Sequence, residues 1–201
     1  SPYNSYLNIL KKEKVIRFNV NYLFKDFLID LKLYRISNHT LFNNSFNVLQ
    51  LNKVSYVSEF NLNYRKKIKR FDLRSGVNLR TSSDSLNLAP FGFDFEIYYD
   101  YFMFKKTLPM RVGIITSYTS GFFADGYYPL LDVRYYQNNF EVQNYPMIDF
   151  YLDVHLSKAI LYLRVDHINQ GFTSDLMSYS LPYYPLTDRI IKFGVIWHLE
   201  N

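Results

Sequence analysis

The chain has 201 residues, enough for one domain with a real core, and its 18 Phe, 20 Tyr and 1 Trp make it 19% aromatic. Without cysteine it carries no disulfide, thiolate nucleophile or Cys metal site, and with 7 Gly and 7 Pro it is neither collagen-like nor low-complexity. Formal net charge is +5, and no stretch approaches the ~18–20 consecutive apolar residues of a membrane helix; a mean hydropathy of −0.18 is also what alternating strands give.

The opening Ser1-Pro2-Tyr3-Asn4 lacks the basic start and apolar stretch of a signal peptide, as in a mature form, a fragment or a cytosolic protein. Residues 15–24 alternate, with Phe18 and Tyr22 on one face and Arg17 on the other. A turn at Lys25-Asp26 leads to a second strand, 27–35, with Asp30 and Lys32 on its polar face. Residues 38–45 read as a loop, and 46–64 as a long third strand carrying Glu59. The basic run Arg65-Lys66-Lys67-Ile68-Lys69-Arg70 reads as a solvated turn. Its aromatic neighbours keep strand period and do not cluster as stacking platforms, so no nucleic-acid partner is expected.

The fourth strand, 68–80, sets Phe71 and Val77 against Arg70, Asp72, Arg74 and Arg80. After a loop at 81–90, the fifth strand is the most regular: Phe91, Phe93, Phe95, Ile97, Tyr99, Tyr101 and Met103 alternate with Gly92, Asp94, Glu96, Tyr98 and Asp100. Lys105 to Pro109 turns it into a sixth, 110–119. Between loops at 124–131 and 137–146 lies a short strand at 132–137 with Asp132 and Arg134. Strand 147–156 places Phe150 opposite Asp149 and Asp153. The Ser157-Lys158 hairpin returns as 159–168, with Arg164 and Asp166 on the polar face. A loop at 169–187 precedes the last strand, 189–199, which carries Phe193, Trp197 and Leu199 on one face.

Ten strands result, and helix patterning is almost absent. Period-2 alternation sends successive side chains to opposite faces. A soluble sheet turns its apolar face to a core, whereas a membrane barrel turns it to lipid and its polar face to a lumen. Strands of about 9–12 residues match the ~9–11 that cross a bilayer at a tilt and exceed the ~5–6 of globular sheets. The expectation is an all-β, antiparallel transmembrane β-barrel of about ten strands, forming one domain over residues 1–201 or the C-terminal portion of a larger barrel. A soluble β-sandwich is the alternative. With the chain end in the periplasm, the Ser157-Lys158 hairpin is periplasmic and the 169–187 loop extracellular. Counting back, the order of short turns and long loops breaks between 121 and 146.

Several segments near the C-terminus carry a family resemblance: Asn144-Tyr145-Pro146-Met147-Ile148-Asp149, Asp166-His167-Ile168-Asn169, Tyr183-Tyr184-Pro185 and the ending Phe193-Gly194-Val195-Ile196-Trp197. Over about the last 80 residues the chain resembles the putative porins of Bacteroidota. Related endings also occur in TonB-dependent transporter barrels of that phylum. The resemblance implies an outer-membrane β-barrel of a Gram-negative bacterium, porin-like passive diffusion of small polar solutes, and family members longer than this chain. The other function weighed is a non-conducting barrel subunit of a larger outer-membrane protein complex. Outer-membrane lipid is the expected partner, with other outer-membrane subunits where strands are missing.

In a barrel, Arg17, Lys32, Arg70, Asp72, Arg74, Arg80, Asp94, Glu96, Asp100, Asp132, Arg134, Asp149, Asp153, Arg164 and Asp166 would face the lumen. Phe18, Tyr22, Phe71, Phe93, Phe95, Tyr99, Phe150, Phe193 and Trp197 would face lipid or form an interfacial girdle. Opposite charges interleave on the lumen side, so cross-strand pairing that fills the interior competes with a role in selectivity. Asp153 and His155 share a face two residues apart, the spacing of an Asp-oriented general base and comparable to the pairing in omptin proteases. No second acidic pair accompanies them, so no enzyme is expected. His39, His167 and His198 lack metal-ligand spacing, and no cofactor is expected.

Overall fold

The computed structural model of the chain describes residues 10–45, 47–83, 86–104, 107–142, 144–172 and 178–197. Residues 1–4, Phe46, Lys105, Lys106, His198 and Leu199, used in the sequence reading, lie outside these. No helix occurs among the described residues, and every strand pairing is antiparallel.

Nine long strands form one meandering sheet, each paired with the next: β1 Lys14–Phe24, β2 Phe27–Ser37, β3 Val54–Ile68, β4 Phe71–Ser82, β5 Phe91–Met103, β6 Leu108–Thr119, β7 Met147–His155, β8 Ala159–Asp166 and β9 Ile190–Trp197. Residues directly opposite across a ladder share a face. Phe18 pairs with Leu33, Leu31 with Phe60, Phe60 with Leu79, and Val77 with Phe93. Ile97 pairs with Ile114, Ile114 with Phe150, Phe150 with Val165, and Val165 with Ile191. The registers thus lock the apolar positions of all nine strands onto one face. A slip of one residue anywhere would move a strand's whole apolar set to the other side.

Burial is inverted relative to a soluble sheet. The apolar face is the exposed one. In β4, Phe71 is 48% exposed while its neighbour Asp72 is 1% exposed. Tyr98 and Tyr151, on the polar face, are also buried.

Four tight turns, at 25–26, 69–70, 104–107 and 156–158, lie at one end of the sheet. Four long loops, at 38–53, 83–90, 120–146 and 167–189, lie at the other. The loops hold their own short ladders: Thr40–Phe42 with Val48–Gln50, Phe122–Phe123 with Glu141–Val142, Gly126–Tyr128 with Val133–Tyr135, and Tyr179–Leu181 with Tyr184–Pro185.

This corrects the strand count. Residues 132–137 are no member of the main sheet; only Val133–Tyr135 is extended, and it pairs inside the 120–146 loop. With that strand removed, the order of turns and loops is regular throughout. The third strand also differs. The apolar positions at 48–51 belong partly to a loop hairpin, and β3 begins at Val54 and runs on through Arg65-Lys66-Lys67 to Ile68. The charges sit within the strand, and only Lys69 and Arg70 make the turn.

Among the described residues the sheet does not close. β1 and β9 are its edges. β1 is exposed along its whole length on both faces, and β9 everywhere except Gly194. The expected closed barrel is therefore not formed by these nine strands alone.

Candidate functional site

The polar face carries a band of charged and aromatic side chains that crosses the strands. Arg65 Nη2 lies 3.1 Å from Asp72 Oδ2, and Arg74 Nε 3.3 Å from Asp72 Oδ1. Arg74 Nη1 donates to Glu96 Oε2 at 3.1 Å, and the Tyr151 hydroxyl donates to Glu96 Oε1 at 2.9 Å. The Arg164 guanidinium lies 4.7 Å above the Tyr151 ring and donates to Asp153 Oδ1 at 3.1 Å. The chain of contacts therefore links β3, β4, β5, β7 and β8. Arg111 joins it from β6, donating to Asp100 Oδ1 at 2.8 Å with its guanidinium 4.1 Å above the Tyr98 ring. Lys192 pairs with Asp166 at the β9 side. Each cation here has a carboxylate, and Arg111 and Arg164 also rest on an aromatic face, which fixes a planar fork better than a point charge.

Two glycines make room for the rings. A Cβ on Gly113 would lie 2.5 Å from Tyr151 Cζ, and one on Gly194 2.6 Å from Tyr162 Oη. Each tyrosine ring occupies the space a Cβ would take on the glycine opposite it, Tyr151 at Gly113 and Tyr162 at Gly194 across the ladders.

The β2 to β6 part of the same face is different. Its floor is small and polar: Asp30, Asn61 and Asn78 in one cross-strand row, Asn63, Gly76 and Asp94 in the next. Two adjoining hollows of about 680 and 440 Å³ share Asn63, Gly76 and Asp94. Together they run from Lys25 and Asp26 at the turn end to Ala89 and Thr119 at the loop end. Lys32 flanks this groove, 2.9 Å from Asp30 and 3.8 Å from Glu59, and Arg80 lies 3.6 Å from Glu59. The polar face thus has a filled side and an open side.

Of the charged residues singled out in the sequence, Arg17, Lys32, Asp72, Arg74, Arg80, Asp94, Glu96, Asp100, Asp149, Asp153, Arg164 and Asp166 lie on this face. Three do not. Arg70 is in the β3–β4 turn. Asp132 closes a loop turn at φ 52° and accepts from the Tyr127 hydroxyl. Arg134 sits opposite Tyr127 in a loop ladder. Phe18, Tyr22, Phe71, Phe93, Phe95, Tyr99, Phe150, Phe193 and Trp197 all lie on the apolar face. The Asp153 carboxylate is held by Arg164, not turned to His155. Among the described residues no cluster of His, Asp and Glu is arranged to hold a metal.

A family model described as a putative porin matches residues 1–200. The chain belongs to this porin family. Neither a curated protein nor a solved structure matches it. The match spans the chain, so the family pattern covers β1 to β6 as well as the C-terminal segments whose motifs were legible.

Two of those motifs, 144–149 and 166–169, are structural in this porin-family chain. Tyr145, His167 and Asn169 are all buried and form one knot between the 120–146 and 167–189 loops. Asn169 Nδ2 donates to the Tyr145 hydroxyl at 2.9 Å and to Pro146 O at 2.7 Å. Ile148 N donates to Asn169 Oδ1 at 3.0 Å. His167 N donates to Asp149 Oδ1 at 2.7 Å, and its ring places Nδ1 2.7 Å from Thr187 O and Nε2 3.1 Å from the Tyr145 hydroxyl. A carbonyl only accepts, so Nδ1 carries the proton. The Asn-Tyr-Pro-x-Ile-Asp segment and the Asp-His-x-Asn segment are the two halves of this clasp. A second clasp centres on Gln137, whose Nε2 donates to Ala124 O and Phe140 O while its Oε1 accepts from Asn139 N and Phe140 N. Nearby, burial pushes the Asp125 carboxyl above the usual carboxylate range, opposed by the hydrogen bond from Asn87 Nδ2 at 2.7 Å.

Proposed function

We propose that the nine strands are part of the wall of an outer-membrane β-barrel in a Gram-negative bacterium, and that the barrel passes small polar solutes by passive diffusion. The observation that carries this reading is the inverted burial, with Phe71 at 48% exposure beside Asp72 at 1%. In water such a sheet would expose a continuous apolar face, far beyond the few hundred Å² that soluble monomers tolerate. In lipid the same face is solvated by acyl chains. The paired charges of the polar face then line the lumen, and the aromatics of the apolar face meet lipid and its interfaces. The groove over Asn63, Gly76 and Asp94 supplies a polar path between the two ends. Membership of the porin family supports the same conclusion.

The open edges bear on the partner. Unpaired backbone along β1 and β9 costs several kcal/mol per group in hydrocarbon, on the order of the unsatisfied-group penalty. Each edge therefore needs a strand beside it, from more of the protein, from another outer-membrane subunit, or from the opposite edge. The filled side of the polar face favours a second reading, a non-conducting barrel subunit, because there every cation is matched by a carboxylate.

Two measurements on the membrane-extracted protein separate these readings. Heat-modifiable gel mobility is expected, since folded barrels resist detergent until boiled. Its absence, with the protein in the soluble fraction, would sink the membrane reading. Swelling of liposomes in arabinose would then support diffusion, and folded barrels that give no swelling would favour the structural subunit.

A further inference from the structure

We infer that the turn end of the sheet is a rim that binds the headgroups of anionic phospholipid. This rests on the barrel reading above and adds the partner at one end of it. The tight turns carry Lys25, Lys69, Arg70 and Lys158, with Asp26 the one acid among their described residues. Among the described residues the long loops at the opposite end carry Lys53, Arg134 and Arg189 against Asp125, Asp132, Glu141 and Asp188. Charge therefore changes sign from one end of the strands to the other.

The turn chemistry makes the lysines informative. Lys25 and Lys69 stand at φ 52° and 56°, each opening a two-residue hairpin connection. That left-handed position favours Gly, Asn and Asp, so local backbone preference does not account for a lysine at either turn. Ion pairing does not account for them either. Lys25 rests 5.3 Å from the centre of the Phe24 ring, and Asp26 pairs with Lys66. Lys69, Arg70 and Lys158 are exposed and make no ion pair among the described residues.

The surroundings fit lipid better than an acidic protein. Next to the turns the outward apolar face ends in paired rings, Phe27 with Tyr64 at 4.6 Å and Phe71 with Tyr99 at 4.7 Å between centroids. Lys66 lies on that same outward face, beside Leu73 across the ladder. Rings followed by long-stemmed cations is the order of a bilayer interface, where aromatics sit at headgroup depth and ammonium groups reach past them to the phosphates. The cations are also spread over separate hairpins, as a surface of many small headgroups requires, and do not converge on one pocket.

The test combines Lys25→Gln, Lys69→Gln, Arg70→Gln and Lys158→Gln in the natural full-length chain. Wild type and variant are reconstituted in phosphatidylcholine vesicles with spin-labelled phosphatidylglycerol or spin-labelled phosphatidylcholine, and the motionally restricted fraction is read by EPR. The wild type is expected to enrich phosphatidylglycerol at low salt. The variant should lose that preference by about tenfold or more, and salt near 1 M, with a Debye length of ~3 Å, should abolish it in the wild type. Equal enrichment in both proteins, no enrichment in the wild type, or a wild-type preference competed away by free inorganic phosphate overturns the proposal. Heat-modifiable mobility of both proteins shows that the variant folds. If both fold and insert but show no preference, only the lipid proposal fails; if neither inserts, the barrel reading fails with it.

Discussion

Val77 and Asn78 are chain neighbours on opposite faces of β4, Val77 opposite Phe93 and Asn78 opposite Gly92. If the apolar face meets acyl chains, an arginine at position 77 must hold its charge near mid-bilayer, at a cost of about 2–4 kcal/mol. At position 78 the same side chain enters the groove beside Asp30 and Asp94, where water and carboxylates receive it. Val77→Arg is therefore expected to lower the unfolding free energy in lipid vesicles by about 2–4 kcal/mol, and Asn78→Arg by under about 1 kcal/mol. Guanidinium titration of the reconstituted protein measures both. Equal costs, or a larger cost at Asn78, would mean that the apolar face packs on protein.

The strands were largely legible because alternation is written at every position, and the registers repeat it from β1 to β9. The misreadings have local causes. Residues 46–51 look like strand because Phe46, Val48, Leu49 and Leu51 are apolar, yet a loop hairpin uses Val48 to Gln50 equally well. Arg65 to Lys67 look like a turn because a charge run is usually solvated. Here Arg65 reaches Asp72 and Lys66 reaches Asp26, so the charges are spent inside and beside the ladder. The strand expected at 132–137 fails for another reason: three extended residues say nothing about whether they span the sheet or fold back in a loop. The Tyr145–His167–Asn169 clasp was not legible as a clasp at all, because its parts lie more than twenty residues apart and meet only through tertiary contacts. Its motifs stood out in the sequence, but their role is loop fixation. Tyr145→Phe keeps the ring and deletes the hydroxyl that Asn169 Nδ2 and His167 Nε2 share. Leaving such buried groups unpaired costs about 1–3 kcal/mol. The expected outcome is faster hydrogen exchange and protease cutting in 167–189 with heat-modifiable mobility of the strands retained. Unchanged exchange in that loop would show that the hydroxyl is not what holds it.

At the scale of the molecule, direction decides how the sheet can be completed. Eight successive antiparallel pairings separate β1 from β9, so the two edges point the same way. Direct pairing between them would be parallel. An all-antiparallel barrel needs an odd number of further strands between them. The two closures differ in lumen as well. Nine strands give little more than the eight that side chains alone fill, and the Arg–Tyr band of β3 to β8 would then plug the interior. Additional strands would leave the groove beside Asn63 and Gly76 open to solute. These 201 residues hold no cysteine, so disulfides between introduced pairs are read against a control that carries no introduced cysteine. Val20→Cys on β1 can be combined in turn with Ile191→Cys, Phe193→Cys and Val195→Cys on β9, which samples the registers of a direct pairing. With even one strand between the edges, the Cα atoms are about 9.5 Å apart, beyond the ~4.4–6.8 Å a disulfide spans. No cross-link is expected in the natural full-length chain in its membrane, while the Val20→Cys, Leu31→Cys control, directly opposed across β1 and β2, should oxidise. A disulfide from β1 to β9 would mean parallel closure, a narrow barrel and an interior with no room for a solute path.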